Sequence, residues 1–481
     1  RVGYLNQVGL GYLTLDRRTR SLSGGEFQRA RLAGCLGSGL LGVNYILDEP
    51  TIGLHSRDTS RLIQILEELR DAGNTVTLVE HDGTVIRAAD HVIDVGPGAG
   101  ERGGEIVAKG TPAQIAACSE SPTGRHLTRT SRNLKHQEPP SDGSQISLRN
   151  ASIHNLKHVD VDIPLSSLTA VTGVSGSGKS SLILHTLVPA IRAALDRRTT
   201  DNRIECGKVS GAEHIDRVIQ IDSSPLGRNG RSNPATASGA WDEVRRVFAA
   251  TREARIRGYA PRRFSFNVAE GRCKKCAGQG TQRIEMHFLP DIHVPCEACR
   301  GARFNRRTLA VRYRGKNVAQ VLGMPIDEAA SFFENFPKLH RTLQTFGDVG
   351  LGYLTLGQSA LALSGGEAQR IKLAAELCRS PGEQTLYVLD EPTTGLHASD
   401  IALLVTLLKR LVEKSNTVVV IEHQLDLIAE CDWIVDLGPE GGQHGGTITA
   451  TGTPAQIAAS ATHTGRALAA EFSFATPSSE D

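Results

Sequence analysis

The sequence predicts an α/β fold built on parallel sheets and duplicated within one chain. Three observations carry this reading. First, blocks recur: "VGLGYLTL" at 8–15 returns at 349–356, "LSGGE" at 22–26 at 363–367, "LDEPTIGLH" at 47–55 as "LDEPTTGLH" at 389–397, and "GTPAQIA" at 110–116 at 452–458. The offset grows by one residue between the second and third blocks, and the period is too long for a solenoid, so it marks a duplicated domain. Second, "VNYILDEP" and "TLYVLDEP" are short β-branched runs ending in acids, which suits buried parallel strands. Each is followed by a helix-period segment and a second strand, "NTVTLVEH" or "NTVVVIEH". Strand, helix and strand at this spacing build a parallel sheet with ligands at the strands' carboxyl ends. Third, "SSLTAVTGVSGSGKSSLILHTLV" sets G-x-x-x-x-G-K-S between an apolar strand and an apolar helix.

The elements follow in order. Residues 1–125 carry the first copy, without a phosphate cradle of their own. Within them "SRDTSRLIQILEELRDAG" has helical apolar spacing and ends at Gly73, a C-cap. Residues 126–145, "HLTRTSRNLKHQEPPSDGSQ", are polar with paired prolines and read as a linker. The second copy occupies 146–200 and 346–470, interrupted by an insertion over 201–345. The tail from 471 to 481 reads as disordered. The chain opens on Arg1 in mid-motif, which predicts a fragment of a longer protein.

Composition sets bounds. The 481 residues carry 54 basic and 52 acidic side chains, a net charge of +2, so any nucleic-acid surface must be local. Aromatics at 4% argue against broad stacking platforms. No apolar run approaches the ~20 residues that cross a bilayer, no segment reads as a signal peptide, and no membrane partner is expected. Nine cysteines, four of them within 273–299, suit intracellular metal chemistry and a cytoplasmic location.

The cradle is Gly173, Val174, Ser175, Gly176, Ser177, Gly178, Lys179, Ser180 and Ser181. Gly173, Gly176 and Gly178 free the backbone amides to curl around a polyphosphate. Lys179 supplies a point charge to the β- and γ-phosphates and Ser180 a hydroxyl for Mg²⁺. Asp390 and Glu391 end a strand downstream, where the first can hold Mg²⁺ through water and the second can polarise the attacking water. His423 ends the next strand, within reach of the γ-phosphate.

Cys273, Cys276, Cys296 and Cys299 form two C-x2-C pairs nineteen residues apart. Four thiolates at this spacing suit tetrahedral Zn²⁺, and a closed set of four makes the metal structural. Gly278, Gly280 and Gly301 free the backbone after each knuckle, and "TQRIEMHFLPDIHVP" projects as a hairpin. His287 and His293 read as surface residues. Cys35, Cys118, Cys206, Cys378 and Cys431 read as inert thiols.

Ahead of the cysteines, residues 241–264 hold seven arginines against three acids. Arg245, Arg246, Arg252, Arg255 and Arg257 fall where a helix presents a basic stripe. Arg262 and Arg263 follow Pro261, and Lys274 and Lys275 extend the charge. Such density suits sequence-independent phosphate contacts, and no base-reading helix stands out.

Taken together, "LSGGEAQR" at 363–370, the cradle and "LDEPTTGLH" resemble the ATP-binding cassette ATPases. The cysteine segment, with "SSPLGRNGRSNPATASG" and "RGYAPRRFSFNVAEGRC", narrows the resemblance to the UvrA family of the ABC excinuclease system. The resemblance covers nearly the whole chain. It implies two ATPase cassettes, the first incomplete, and an inserted signature and zinc domain with a DNA-binding surface. It further implies ATP, Mg²⁺ and Zn²⁺ as cofactors. Recognition of damaged double-stranded DNA, lesion transfer to UvrB, a homodimer, and no nuclease activity of its own are implied as well. The UvrB-binding region and the first cradle would then lie outside residues 1–481.

In this family the signature of one cassette closes over ATP held by the other. Ser23, Gly24, Gly25 and Glu26 are therefore expected to cap the site of Lys179, Asp390, Glu391 and His423. Ser364 to Glu367, with Asp48, Glu49 and His81, belong to a second site whose cradle is absent. Ser223 departs from the family's glutamine and is too short to link the Mg²⁺ shell to the signature domain. That departure keeps open a paralogue handling drug or drug–DNA adducts. A transporter ATPase and a fragment without independent activity are two further readings.

Overall fold

A computed structural model describes residues 2–19, 22, 24–37, 41–98, 100, 103–128, 132–134, 143–196, 208–222, 224, 226–227, 231–286, 292–378 and 384–474. The chain forms two compact units, Arg1–Asp222 with Pro381–Asp481, and Ser223–Ser380. The expected insertion over 201–345 overlaps the second unit without sharing its limits.

The first unit is organised by a six-stranded sheet in the order Arg217–Ile221, Thr385–Asp390, Thr417–Ile421, Leu168–Gly173, Trp433–Gly438 and Thr447–Gly452. The first five strands run parallel and the last is antiparallel. All six residues of Leu168–Gly173 are buried, as a continuous apolar run in a central strand requires. Val171, Leu182, Ile183, Leu187, Val388, Val419 and Val435 pack one core over it, each burial of this kind stabilising by about 1.5–3 kcal/mol.

The helix after the cradle is not uniform. Lys179–Leu182 is α-helical, Ile183–Leu187 is a π turn, and Val188–Leu195 returns to α. Pro189 lacks an N–H and crowds the carbonyl one turn back, and the wider turn absorbs that mismatch.

The first copy forms two separate strand pairs. Asn44–Asp48 and Thr75–Val79 are parallel, whereas Val92–Gly96 and Glu105–Gly110 are antiparallel. The parallel pairing matches the expectation, but the expected burial does not hold. Asn44, Ile46 and Asp48 are exposed, as are Thr75, Thr77 and Val79, so only one face of each strand is covered. The helix Ser56–Asp71 buries Leu62, Ile65, Leu66 and Leu69 at helical spacing. It ends at Ala72, with Gly73 left-handed at φ 92°.

Within the expected linker, Arg132–Leu134 pairs in parallel with Phe472–Phe474, so the tail expected to be disordered from 471 opens on the last residue of the helix His463–Glu471 and a short strand. Residues 135–142 and 475–481 lie outside the described ones. The second unit carries helices, including Ala240–Ala249, Pro337–Asp348 and Gly365–Leu377, and two short hairpins. Among the described residues no helix is long and apolar enough to cross a membrane.

Candidate functional site

The cradle turns at three left-handed glycines, Gly173, Gly176 and Gly178, with φ of 133°, 74° and 111°. A Cβ at Gly173 would lie 2.0 Å from the Leu437 carbonyl oxygen, so the turn admits no side chain there. The Lys179 ammonium is buried and donates to the carbonyls of Gly173 at 2.9 Å and Val174 at 3.0 Å. Burial lowers its pKa to about 8, against the pull of Glu391 and other nearby carboxylates. The Ser177 hydroxyl is buried without a partner, a donor suited to a phosphate oxygen. Ser180 is exposed, and Ser181 lies 3.2 Å from His154 Nδ1.

Asp390 and Glu391 stand at the carboxyl end of the neighbouring strand. Burial raises Asp390 to about 6, and burial with Asp390 and Glu422 raises Glu391 to about 7. Glu391 sits in left-handed backbone at φ 46°, and its first-copy counterpart Glu49 at φ 45°. His423 Nε2 is 3.9 Å from Glu391 Oε1, while its Nδ1 is buried without a partner. Burial holds the His423 imidazole well below its ordinary pKa. His81, its counterpart, is raised by a hydrogen bond to Glu49.

Residues of the first copy close over this centre. Ser175 Oγ donates to the Gly53 carbonyl at 3.2 Å, and a Cβ at Gly53 would lie 3.0 Å from Glu391 Oε1. Reciprocally, a Cβ at Gly395 would lie 3.4 Å from Glu49 Oε1. Between these loops lies a cavity of ≈170 Å³, walled by Glu49, Glu80 and His81 on one side and Glu391, Glu422 and His423 on the other. Of the first signature, Ser23 lies outside the described residues; Gly24 opens the helix Gly24–Leu36, and a Cβ at Gly25 would strike the Ile52 carbonyl at 2.2 Å. The second signature has its own capping box between Ser364 and Glu367.

Sequence reasoning missed three groups. The Tyr12 ring lies against Gly176, where a Cβ would approach it to 2.7 Å, and its hydroxyl donates to Glu26 Oε1 at 2.7 Å. Its recurrence as Tyr353, which donates to Glu367 at 2.5 Å, was the available signal. Glu422 accepts from the amides of Thr393, His423 and Gln424, bracing the loop that carries the site, as Glu80 does in the first copy. His55 and Arg57 contact the second copy, at Thr464 and Glu440.

In the second unit the sulfurs of Cys273, Cys276, Cys296 and Cys299 all lie within 4.8 Å of one another. Four thiolates at about 2.3 Å from one ion stand roughly 3.8 Å apart, so this set fits a tetrahedral zinc. The two knuckles repeat one backbone device: Ala277 and Gly278 at φ 49° and 84°, Arg300 and Gly301 at φ 49° and 84°. Thr281–Ile284 and Ile292–Pro295 pair as the expected hairpin, with His293 opposite Arg283; His287 lies outside the described residues. Of the remaining cysteines, Cys431 is buried, Cys35 exposed, and Cys206 outside the described residues.

The basic stretch differs from a single stripe. It forms two helices, Ala240–Ala249 and Arg252–Ile256, separated where Thr251 caps the second. Arg245, Arg246, Arg257, Arg262 and Lys275 each pair with a carboxylate, of Asp242, Glu243, Glu253, Glu270 and Glu297. Arg263 lies over the Tyr259 ring. Arg252, Arg255 and Lys274 are exposed without an ion pair among the described residues.

No protein-family model matches the chain. UvrABC system protein A of Staphylococcus aureus (strain COL) is 55% identical over 473 residues, 97% of this chain and 50% of that protein. The crystal structure of UvrA2 from Deinococcus radiodurans superposes with a TM-score of 0.92 at 47% identity, over 98% of this chain and 57% of that one. The ribosome-bound archaeal Pelota and ABCE1 model, at TM-score 0.56 and 18% identity over 95% of this chain and 60% of that one, shares the fold alone. The chain spans about half the length of the curated relatives it matches. Over that span it is a homologue of UvrABC system protein A, with the ATP-binding cassette architecture of UvrA2.

Proposed function

We propose that this chain is the ATP-hydrolysing, damage-recognising portion of a UvrA-like protein of nucleotide excision repair. The observation that supports it most is the convergence of the cradle, Asp390, Glu391 and His423 with Gly53 and Tyr12 of the other copy. In this reading Lys179 and the cradle amides hold the phosphates, and the signature residues Ser23, Gly24, Gly25 and Glu26 cap them. Ser180 and Asp390 would hold Mg²⁺, which supplies charge neutralisation on the phosphates. Glu391 accepts a proton from water, a task suited to a base held near neutrality. His423, neutral through burial, is placed to hydrogen-bond the γ-phosphate rather than to pair with it ionically.

The four cysteines hold Zn²⁺, which supplies structural cross-linking of the module. The arginine and lysine side chains contact duplex phosphates, and lesions pass to UvrB; strand cleavage belongs to partners. Assembly as a homodimer and a cytoplasmic location complete the reading.

Binding to intact and lesion-bearing duplexes, with and without ATP, tests it. Preference for the lesion, lost with ATP turnover in Lys179→Ala, is expected; equal affinity for both duplexes would overturn it. Removing Arg252 and Arg255 together should weaken binding alike on every sequence. It should also flatten the salt slope by about one for each phosphate no longer neutralised. A paralogue that handles drug–DNA adducts is the second reading, favoured by Ser223, which lies outside the described residues.

A further inference from the structure

We infer that Arg57, Glu440 and His463 form a latch holding the first copy's loop over the phosphate cradle, at only one of the two repeat-related interfaces. The inference rests on reading this cradle as the ATP site. Arg57 Nη1 donates to both carboxylate oxygens of Glu440 at 2.8 Å and lies 3.1 Å from His463 Nε2. His463 Nδ1 in turn faces Arg466 Nη2 at 3.1 Å, and its Nε2 lies 3.6 Å from Glu440.

Both ends of this contact lead into the site. Arg57 is the second residue of the helix Ser56–Asp71, which follows the loop 51–55, whose Gly53 accepts from Ser175 and faces Glu391. Glu440 begins a loop whose Gly442 and Gly446 amides donate to Gly176 and Ser177 of the cradle, both at 3.0 Å. The ion pair therefore ties one wall of the site, supplied by the first copy, to the turn that shapes the cradle.

The repeat shows that the latch is an addition to a shared scaffold. Beneath it a buried relay is present in both copies: Asp436 accepts from Thr464 at 2.8 Å, and Asp94 from Thr123 at 2.9 Å. The positions that correspond to Arg57, Glu440 and His463 are Ser399, Gly98 and Pro122, which offer neither charge nor imidazole. Among the described residues the second interface keeps the relay without a counterpart of the Arg57–Glu440–His463 set. Arg57 and its partners are accordingly positioning residues that make the two interfaces unequal, and they touch no reacting atom.

Arg57→Glu, Glu440→Arg and their combination in the full chain test this by hydrogen exchange and by ATP turnover. Without nucleotide, each single variant should speed exchange in peptides covering 50–56 and 438–446 and leave 92–98 and 392–397 unchanged. The charge-swapped pair should restore protection. Turnover should fall about fivefold in each single variant, with KM for ATP within about twofold, and recover in the pair. Unchanged exchange at 50–56 and 438–446 would overturn the latch. Altered exchange with unaltered turnover would overturn its role in hydrolysis. Wild-type turnover that survives Lys179→Ala would instead sink the ATP-site reading, while the exchange measurement still decides the latch.

Discussion

Residues 75–96 and 417–438 are copies of one repeat, yet equivalent side chains meet opposite surroundings. Val79, Ile93 and Val95 are 50%, 58% and 63% exposed, whereas their counterparts Ile421, Val435 and Leu437 are 1%, 0% and 1% exposed. In the second copy the strand Leu168–Gly173 lies between the two others and pairs with both. Among the described residues of the first copy no strand fills that place, and the strands on either side form separate pairs. The apolar pattern of a central sheet is written into both copies, and among the described residues a strand flanked on both sides covers it in the second copy alone. Sequence patterning specifies which face wants burial, and only neighbouring strands decide whether it is buried.

The largest test of this comparison is catalytic. Glu391→Gln should lower ATP turnover at least about a hundredfold, the scale of a lost general base. Glu49→Gln, in the copy without a described cradle, should cost at least tenfold less. Steady-state hydrolysis measures both, and equal losses would erase the functional difference between the copies. Next comes packing. Leu437→Ala should destabilise by roughly 2–5 kcal/mol and Val95→Ala by about 0.5 kcal/mol or less, read from denaturant midpoints.

The smallest effect concerns the paired histidines. The hydrogen bond to Glu49 raises His81, so its contribution to stability is full below pH 6.5 and is lost as pH rises through the raised folded value. Burial holds His423 neutral across the same range. Imidazole NMR shifts between pH 5 and 8 should show His81 titrating late and His423 not at all. Identical titration curves would show that the two environments are alike.

Much of the site was legible because its chemistry is local. G-x-x-x-x-G-K-S and two C-x2-C pairs each fix their geometry within a few residues, through left-handed glycines and tight knuckles. The capping tyrosine, Tyr12, and the Arg57–Glu440 pair were not legible, because each depends on segments far apart in sequence meeting at one surface. The division of the basic stretch was hidden for a local reason: Thr251 caps a second helix, and Asp242, Glu243 and Glu253 stand three or four residues from the arginines they pair with. Exposure of the first copy's strands was hidden as well, since its sequence pattern equals that of the buried copy.

The left-handed backbone at Glu391 and Glu49 carries one more consequence. Holding an L-residue at φ near 45° costs about 1–2 kcal/mol that glycine would not incur. Glycine at 391 would therefore be the more comfortable occupant of that turn, and a chain selected for robustness alone would drift toward it. A carboxylate at both positions therefore carries the same backbone cost, once beside the cradle and once in the repeat of that turn. The strain is equal in the two copies, so the backbone cost by itself does not distinguish the turn that stands beside the cradle from its repeat.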